Sequence, residues 1–294
     1  MATFDTVTPA KGASVDVTTA AAFIPELWSD SIIKARNKAL VMSGKVMLVR
    51  PEGLKYGDVV NIPNLGNESA LSKTAGSAVT YASATDTSVN INITNYKYVA
   101  KLIEDIASVQ SKYDLFSNFT DKIGKALADA VEVSLLGLTA SCAYSVGVAS
   151  STAGSGVITT GAIVTANRYL DVANVPQEDR YMVVDAYGRE DLLNIDTFIR
   201  YDAGGKTPAP VNSGIIGELY GLKVLFSNNV ANSASVAYGM VFHKDAFALA
   251  LQKDVTMKSE YSVDYIGTKL VGYEIYGVTC ARTDHAVLLR YAQA

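Results

Sequence analysis

An α+β fold is predicted for this 294-residue chain by three observations. The hydrophobic pattern changes period, from alternation near residue 90 to three- and four-residue steps after residue 101. Strand-like runs such as YMVV (181–184) and VAYGMVFH (236–243) lie between glycine-rich breaks, without a regular strand–helix repeat. Hydrophobic types make up 49% of the residues and charged types 18%, which supports sizeable cores and argues against general disorder. A formal charge of −4 is at odds with a general basic coating for nucleic acid.

The elements follow in order. Residues 1–46 read as an N-terminal arm and helix. The first 22 are rich in Thr, Ala and Ser and are expected to be extended. FIPELWSDSIIKARNKALVMSGKV (23–46) then places Pro25 at a helix start and Trp28, Ile32, Ile33, Ala35 and Leu40 on an apolar face. Residues 47–99 read as an extended loop with adjoining strands. Pro51, Gly53, Gly57 and Pro63 break the first part, and SVNINITNYKYVA (88–100) alternates Val89, Ile91 and Ile93 with polar residues. A two-stranded excursion of this kind is marginal alone in water, so a second surface is expected, a neighbouring subunit being one source.

Residues 100–144 read as a spine helix. Leu102, Ile106, Val109, Tyr113, Phe116, Ile123, Leu127 and Leu138 recur mostly at helical steps, without proline. Helical throughout, residues 101–140 would extend about 60 Å at 1.5 Å per residue. Gly124 costs ~1 kcal/mol of local helix preference and marks a bend or a close approach. From 145 the chain is expected to be mainly a second unit, to residue 277. It opens on a glycine-rich hinge (145–161), then a helix over 162–174, then strands at YMVV, LKVLFS, VAYGMVFH and ALALQKDVTM, with a turn at Gly221. GVTCARTDHAVLLR (277–290) reads as strand, polar turn, strand, so that 278–294 supplies C-terminal strands.

The residues with most chemical promise lie in VPQEDRYMVVDAYGREDLL (175–193), where Arg180, Asp185, Arg189, Glu190 and Asp191 surround a short apolar strand. A strand feeding a helix capped by Asp185 is the favoured reading. A metal or catalytic cluster would need oxygens that converge. GGKT (204–207) lacks the phosphate-loop pattern, because Arg200 stands where the first glycine is required. His243 and His285, the only histidines, join no HExxH pattern, and no serine sits in a G-x-S-x-G elbow; FHKDAF sets His243 near Asp245, and structural histidines are expected. Cys142 and Cys280 are expected as reduced or buried thiols. Lys101 precedes Glu104 and Asp105 by three and four residues, as in surface ion pairs of a helix. No catalytic, cofactor-binding or metal-binding residue is assigned, and no enzyme activity is expected. No apolar run approaches the roughly twenty residues of a membrane span, and the N-terminus lacks the basic start of a secretory signal.

Taken together and in order, these segments resemble tailed-bacteriophage major capsid proteins of the HK97-like fold, over about residues 20–292. FIPELWSDSIIKARNKALVMSGKV resembles the family's N-terminal arm and helix, residues 47–99 its extended β-hairpin loop, and residues 101–140 the spine helix of its peripheral domain. VPQEDRYMVVDAYGREDLL and ELYGLKVLFSNNV look like the axial domain; GMVFHKDAFALALQKDV and YGVTCARTDHAVLLR complete the order, with a peripheral-domain return strand before residue 277. The resemblance implies self-assembly as hexamers and pentamers into an icosahedral shell around double-stranded DNA, held without sequence-specific recognition. It implies a place in the virion, assembly in the bacterial host cytoplasm, and as partners a separate scaffolding protein, a portal protein and a decoration protein. Phe23, Trp28, Arg36 and Arg50 are the candidate intersubunit contacts. Leu102, Ile106, Val109, Tyr113, Phe116, Ile123 and Leu127 are the candidate spine packing. An encapsulin-like compartment shell, or a tail-tube or decoration protein, is the alternative.

Overall fold

A computed structural model describes residues 41–49, 58–65, 70–79, 81, 86–111, 114–147, 156–195, 217–233 and 235–293. In chain order the strands and helices are β1 (Met47–Val49), β2 (Val59–Leu65), β3 (Asp86–Asn92), β4 (Asn95–Glu104), α1 (Asp105–Gln110), α2 (Leu115–Leu136), β5 (Tyr144–Gly147), α3 (Thr160–Val172), β6 (Arg180–Val184) and α4 (Ala186–Leu193). They continue as β7 (Glu218–Leu219), β8 (Leu222–Phe226), β9 (Asn232–Ser233), β10 (Val236–His243), β11 (Phe247–Ser262), β12 (Gly267–Cys280) and β13 (Ala286–Ala292).

Two main sheets and a separate β2–β3 pair organise these elements. The larger runs β5-β13-β10-β6-β8-β7, with β9 beside β10. Its central strand β6 is buried along its whole length, because β10 and β8 flank it and helices cover it. That explains why YMVV is a continuous apolar run rather than an alternating one. Burying each such side chain contributes roughly 1.5–3 kcal/mol. Ile163, Ala166 and Leu170 of α3 and Leu192 of α4 close over this core.

The smaller sheet runs β1-β11-β12-β4. The long helix α2 packs on one face of it through Ile123 and Leu127, which meet Leu270, Val99, Phe119 and Met257. Asp114 caps α2 by accepting from Ser117 N at 3.1 Å. The helix approaches β12 so closely that a Cβ at Gly272 would overlap Ile123 Cγ2 and lie 2.9 Å from Met257 Sδ.

The helix expected over 101–140 is therefore divided. Leu102 belongs to β4, Ile106 and Val109 to the short α1, and only residues 115–136 form the long helix. At 22 residues α2 spans roughly 33 Å, not 60. The reason is a ten-residue ladder between β4 and β12, from Glu104↔Gly267 to Asn95↔Tyr276, which claims the N-terminal part of the segment for strand. Lys101 and Glu104 are strand residues, so their helical offset no longer brings them together. Of the expected first helix, only residues 41–46 are described, as turn and bend leading into β1.

Candidate assembly surfaces

The charged stretch around β6 is turned inward on its own chain. Arg180 is buried and donates to the carbonyls of Pro176 (2.8 Å) and Val175 (2.7 Å) and to Asp171 (2.8 Å). It ties the end of α3 to β6. Asp185 caps α4 through Gly188 N (3.0 Å), receives the Tyr291 hydroxyl at 2.8 Å and receives Gln293 Nε2 at 2.9 Å. Asp191 accepts from Ile158 N at 2.8 Å. Arg189 lies over the Phe226 ring, 5.6 Å from its centroid. Asp185 and Asp191 are occupied by protein donors, and among the described residues no group of three or more His, Cys, Asp or Glu gathers as a metal site.

Two pairs distant in sequence meet in space. Cys142 and Cys280 are free and half-buried. Burial, together with the neighbouring sulfur, pushes the Cys142 thiol up to about 12; burial pushes Cys280 up to about 11. Neither is a ready nucleophile near neutral pH. His243 and His285 pack edge to face, with centroids 5.9 Å apart. No sequence window contains either pair.

A third buried group anchors the start of the described chain. Glu132 on α2 is fully buried, and its carboxylate accepts from the backbone N–H of Val41 (2.9 Å), Met42 (2.9 and 3.1 Å) and Ser43 (3.3 Å). Three donors around one carboxylate satisfy its charge without a cation. Glu132 carries no motif; a glutamate inside an apolar helix stripe was its only signal.

Against this inward chemistry stand three projecting apolar surfaces. The first is the β2–β3 hairpin, paired from Val59↔Asn92 to Leu65↔Asp86. Its base packs through Ile91 against Ala248 and Ala250. Beyond that base, residues 70–79 and Tyr81 are all exposed, including Leu71, Val79 and Tyr81.

The second surface is the face of the smaller sheet opposite α2. Strand alternation puts Tyr96, Tyr98 and Leu102 there, and all three are exposed. Tyr98 pairs with Tyr273 in the ladder, and Tyr96 meets the Tyr273 ring edge-on at 6.0 Å. Lys253 donates to the Tyr273 hydroxyl at 2.7 Å, a hydrogen bond that draws this phenol's pKa down.

The third is the far end of the β11–β12 hairpin, where Val263, Tyr265 and Ile266 are exposed; Asp105 N, at the start of α1, donates to Ile266 O at 3.0 Å, and α1 exposes Ile106 and Val109. Ile266 has a φ of 42°. A β-branched residue in the left-handed region is strained, and an exposed side chain gains nothing within the subunit to offset it.

Of the candidate spine residues, Ile123 and Leu127 are buried under α2, Phe116 is exposed at its start, and Leu102, Ile106 and Val109 are exposed on other elements. Tyr113, Phe23, Trp28, Arg36 and Arg50 lie outside the described residues. Sequence reasoning missed Tyr98, Tyr265 and Ile266. Tyrosines clustered at 96 and 98 and again at 261, 265 and 273 were the available signal for the first two.

A model of the phage capsid protein family matches residues 46–291. Among solved structures, one from Mycobacterium phage Che8 is similar with a TM-score of 0.76 and 26% identity, covering 91% of this chain and 97% of that one. The capsid structure of the cyanophage P-SCSP1u is similar with a TM-score of 0.76 and 21% identity, over 94% of this chain and 95% of that one. A structure from Gordonia phage Cozz reaches 0.74 at 13% identity, over 99% of each chain. The last two speak for the fold alone. No curated protein matches.

Proposed function

The chain belongs to the phage capsid protein family, and on that premise we propose that its copies, as hexamers and pentamers, close an icosahedral shell around the double-stranded DNA of a tailed phage. It is a major capsid protein with the HK97-like α+β fold. A compartment shell or a tail tube is not favoured, since the matched family is that of phage capsids.

The observation that carries the proposal is the division of labour in the structure. Charged groups with chemical promise are consumed by internal hydrogen bonds, while the apolar surplus sits on projecting elements. Exposed aromatic and aliphatic groups gathered in patches mark surfaces for other proteins. A closed shell uses several such surfaces per subunit at once, so each contact can be weak.

The smaller sheet with α2 is assigned to the peripheral domain and the larger sheet to the axial domain. On that assignment β11 and β12 are the chain's return to the peripheral domain, as a hairpin. The β2–β3 hairpin is assigned to the extended loop. Assembly in the host cytoplasm with a scaffolding protein, a portal and a decoration protein completes the proposal, and the shell's work is enclosure rather than catalysis.

Electron microscopy of native particles tests it, with nuclease-protected DNA measured in the same sample. Closed shells carrying DNA are expected. Open tubes, or closed shells filled with cargo protein and free of DNA, would overturn the reading.

A further inference from the structure

The chain passes between its two sheets at β10→β11 and again at β12→β13. Each crossing is a short 3₁₀ turn, Lys244–Ala246 and Thr283–His285. The backbone N–H groups of Ala281 and Arg282 both donate to Ala246 O, at 2.8 and 3.1 Å, and tie the two turns together. A third passage, from α2 into β5, joins them through Ala143 N to Thr283 O at 2.9 Å. The only two histidines in the chain stand at these turns, one at each, both 7% exposed.

We propose that His243 and His285 form an acid-responsive latch that holds the two sheets in a fixed relation while both rings are neutral and releases the crossings when they are protonated. The geometry requires the neutral form. His243 Nδ1 accepts from Asp245 N at 3.3 Å and so caps the first turn, and a proton on that nitrogen would abolish the acceptor. His285 Nδ1 is buried without a hydrogen-bond partner, so a proton there finds no acceptor. Two cationic rings 5.9 Å apart would also repel each other in a site shielded from water.

The surrounding charges do not reverse this. Asp245 Oδ2 lies 3.7 Å from His243 Nδ1 and Asp284 Oδ1 4.0 Å from His285 Nε2, but both carboxylates are half-exposed and weakly attracting. Arg282, at the start of the second turn, opposes a further positive charge on His285; Lys244 stands in the first turn, and Arg180, the ladder partner of His243 on β6, has its guanidinium directed to Asp171. Asp179, beside Arg180, is held by Lys223. β1, packed on the first turn, contributes only Met, Leu and Val. The thiols of Cys142 and Cys280 stay protonated throughout this range. Burial lowers the pKa of His285, so the opened state binds protons more readily than the closed one. Closure is therefore fully stable above the ordinary imidazole value and is lost progressively as pH falls below it.

The test uses unassembled full-length subunits, so it stands or falls separately from shell formation. Hydrogen exchange is followed by mass spectrometry at pH 7.5 and 5.5, corrected for the intrinsic pH effect. Peptides across 244–246 and 281–285 should exchange about tenfold faster at the lower pH, while 181–184 changes little. In a His243→Asn/His285→Phe variant, which retains an acceptor for Asp245 N but cannot titrate, that acceleration should vanish. Equal acceleration in the variant, or none in the wild type, overturns the latch. If the variant does not fold, the two imidazole signals in the wild-type proton NMR spectrum decide. A His285 midpoint below the free imidazole value supports the proposal, and a midpoint at or above it rejects it.

Discussion

Single residues in this subunit reveal which groups serve the fold and which face outward. Ile266 bears backbone strain in an exposed turn, at φ 42°. Ile266→Gly relieves it and should raise the stability of isolated subunits by about 1 kcal/mol. The same change removes an apolar group from a projecting tip, so less protein should sediment as particles at equal total concentration. Parallel chemical denaturation and gradient centrifugation read the two effects; a variant that assembles as well as wild type contradicts the interface role. Glu274 is the opposite case. It is 2% exposed, its Oε1 has no hydrogen-bond partner, and burial pushes its carboxyl up to about 7 from 4.5. With the folded value raised, its contribution to stability is present below pH 4.5 and lost as pH rises through 7. Glu274→Gln should stabilise the subunit by roughly 1–3 kcal/mol at pH 8 and by almost nothing at pH 4.5. Thermal melts at the two pH values check the sign. This trend opposes that of His285, which is why the latch calls for a local readout and not a global melt.

At the level of elements, the contact between α2 and its sheet is set by two glycines with opposite consequences. At Gly272 an added methyl meets Ile123 and Met257 at less than contact distance. Gly272→Ala should cost roughly 1–3 kcal/mol through overpacking. At Gly124 the nearest atom to an added Cβ is Met257 Cε at 3.8 Å, ordinary contact. Gly124→Ala should gain about 0.5–1 kcal/mol from helix preference. Urea denaturation of both variants measures the pair, and destabilisation by Gly124→Ala would mean that the helix sits nearer the sheet than described. The charged residues around β6 belong to this scale as well. Asp185, Arg180 and Tyr291 join strand, helix ends and C-terminal strand, so the cluster shapes a subunit.

For the molecule as a whole, folding and assembly draw on separable surfaces. The β2–β3 hairpin has little core of its own beyond Ile91 and its neighbours at the base. Replacing residues 66–85 by a short Gly-Ser turn should leave the far-UV circular dichroism close to wild type, since neither sheet loses a strand. Particle formation should fall by at least tenfold, because a shell closes through many simultaneous contacts and the loss of one is repeated in every subunit. Analytical ultracentrifugation compares the two species. Unchanged particle yield would show that the hairpin is dispensable for assembly.

Local pattern was enough for much of this architecture. The apolar run YMVV became β6, VAYGMVFH became β10, the segment after the glycine-rich hinge became α3, and Asp185 became a helix cap. Each of these depends on period, length and capping chemistry within a few residues. The alternation at Val89 and Ile91 likewise announced a two-faced strand, and Ile123 and Leu127 already stood four residues apart on one helix face. The order of segments carried the capsid resemblance, because topology survives where individual strings do not. Residues 101–104 were decided only by tertiary structure. Leu102 and Ile103 suit either period, and the ladder with β12, far along the chain, chose strand. The same is true of Glu132 with Met42, Cys142 with Cys280 and His243 with His285. Their partners lie beyond any local window, so the physics that joins them, burial and satisfied hydrogen bonds between distant segments, exists only once the sheets have formed.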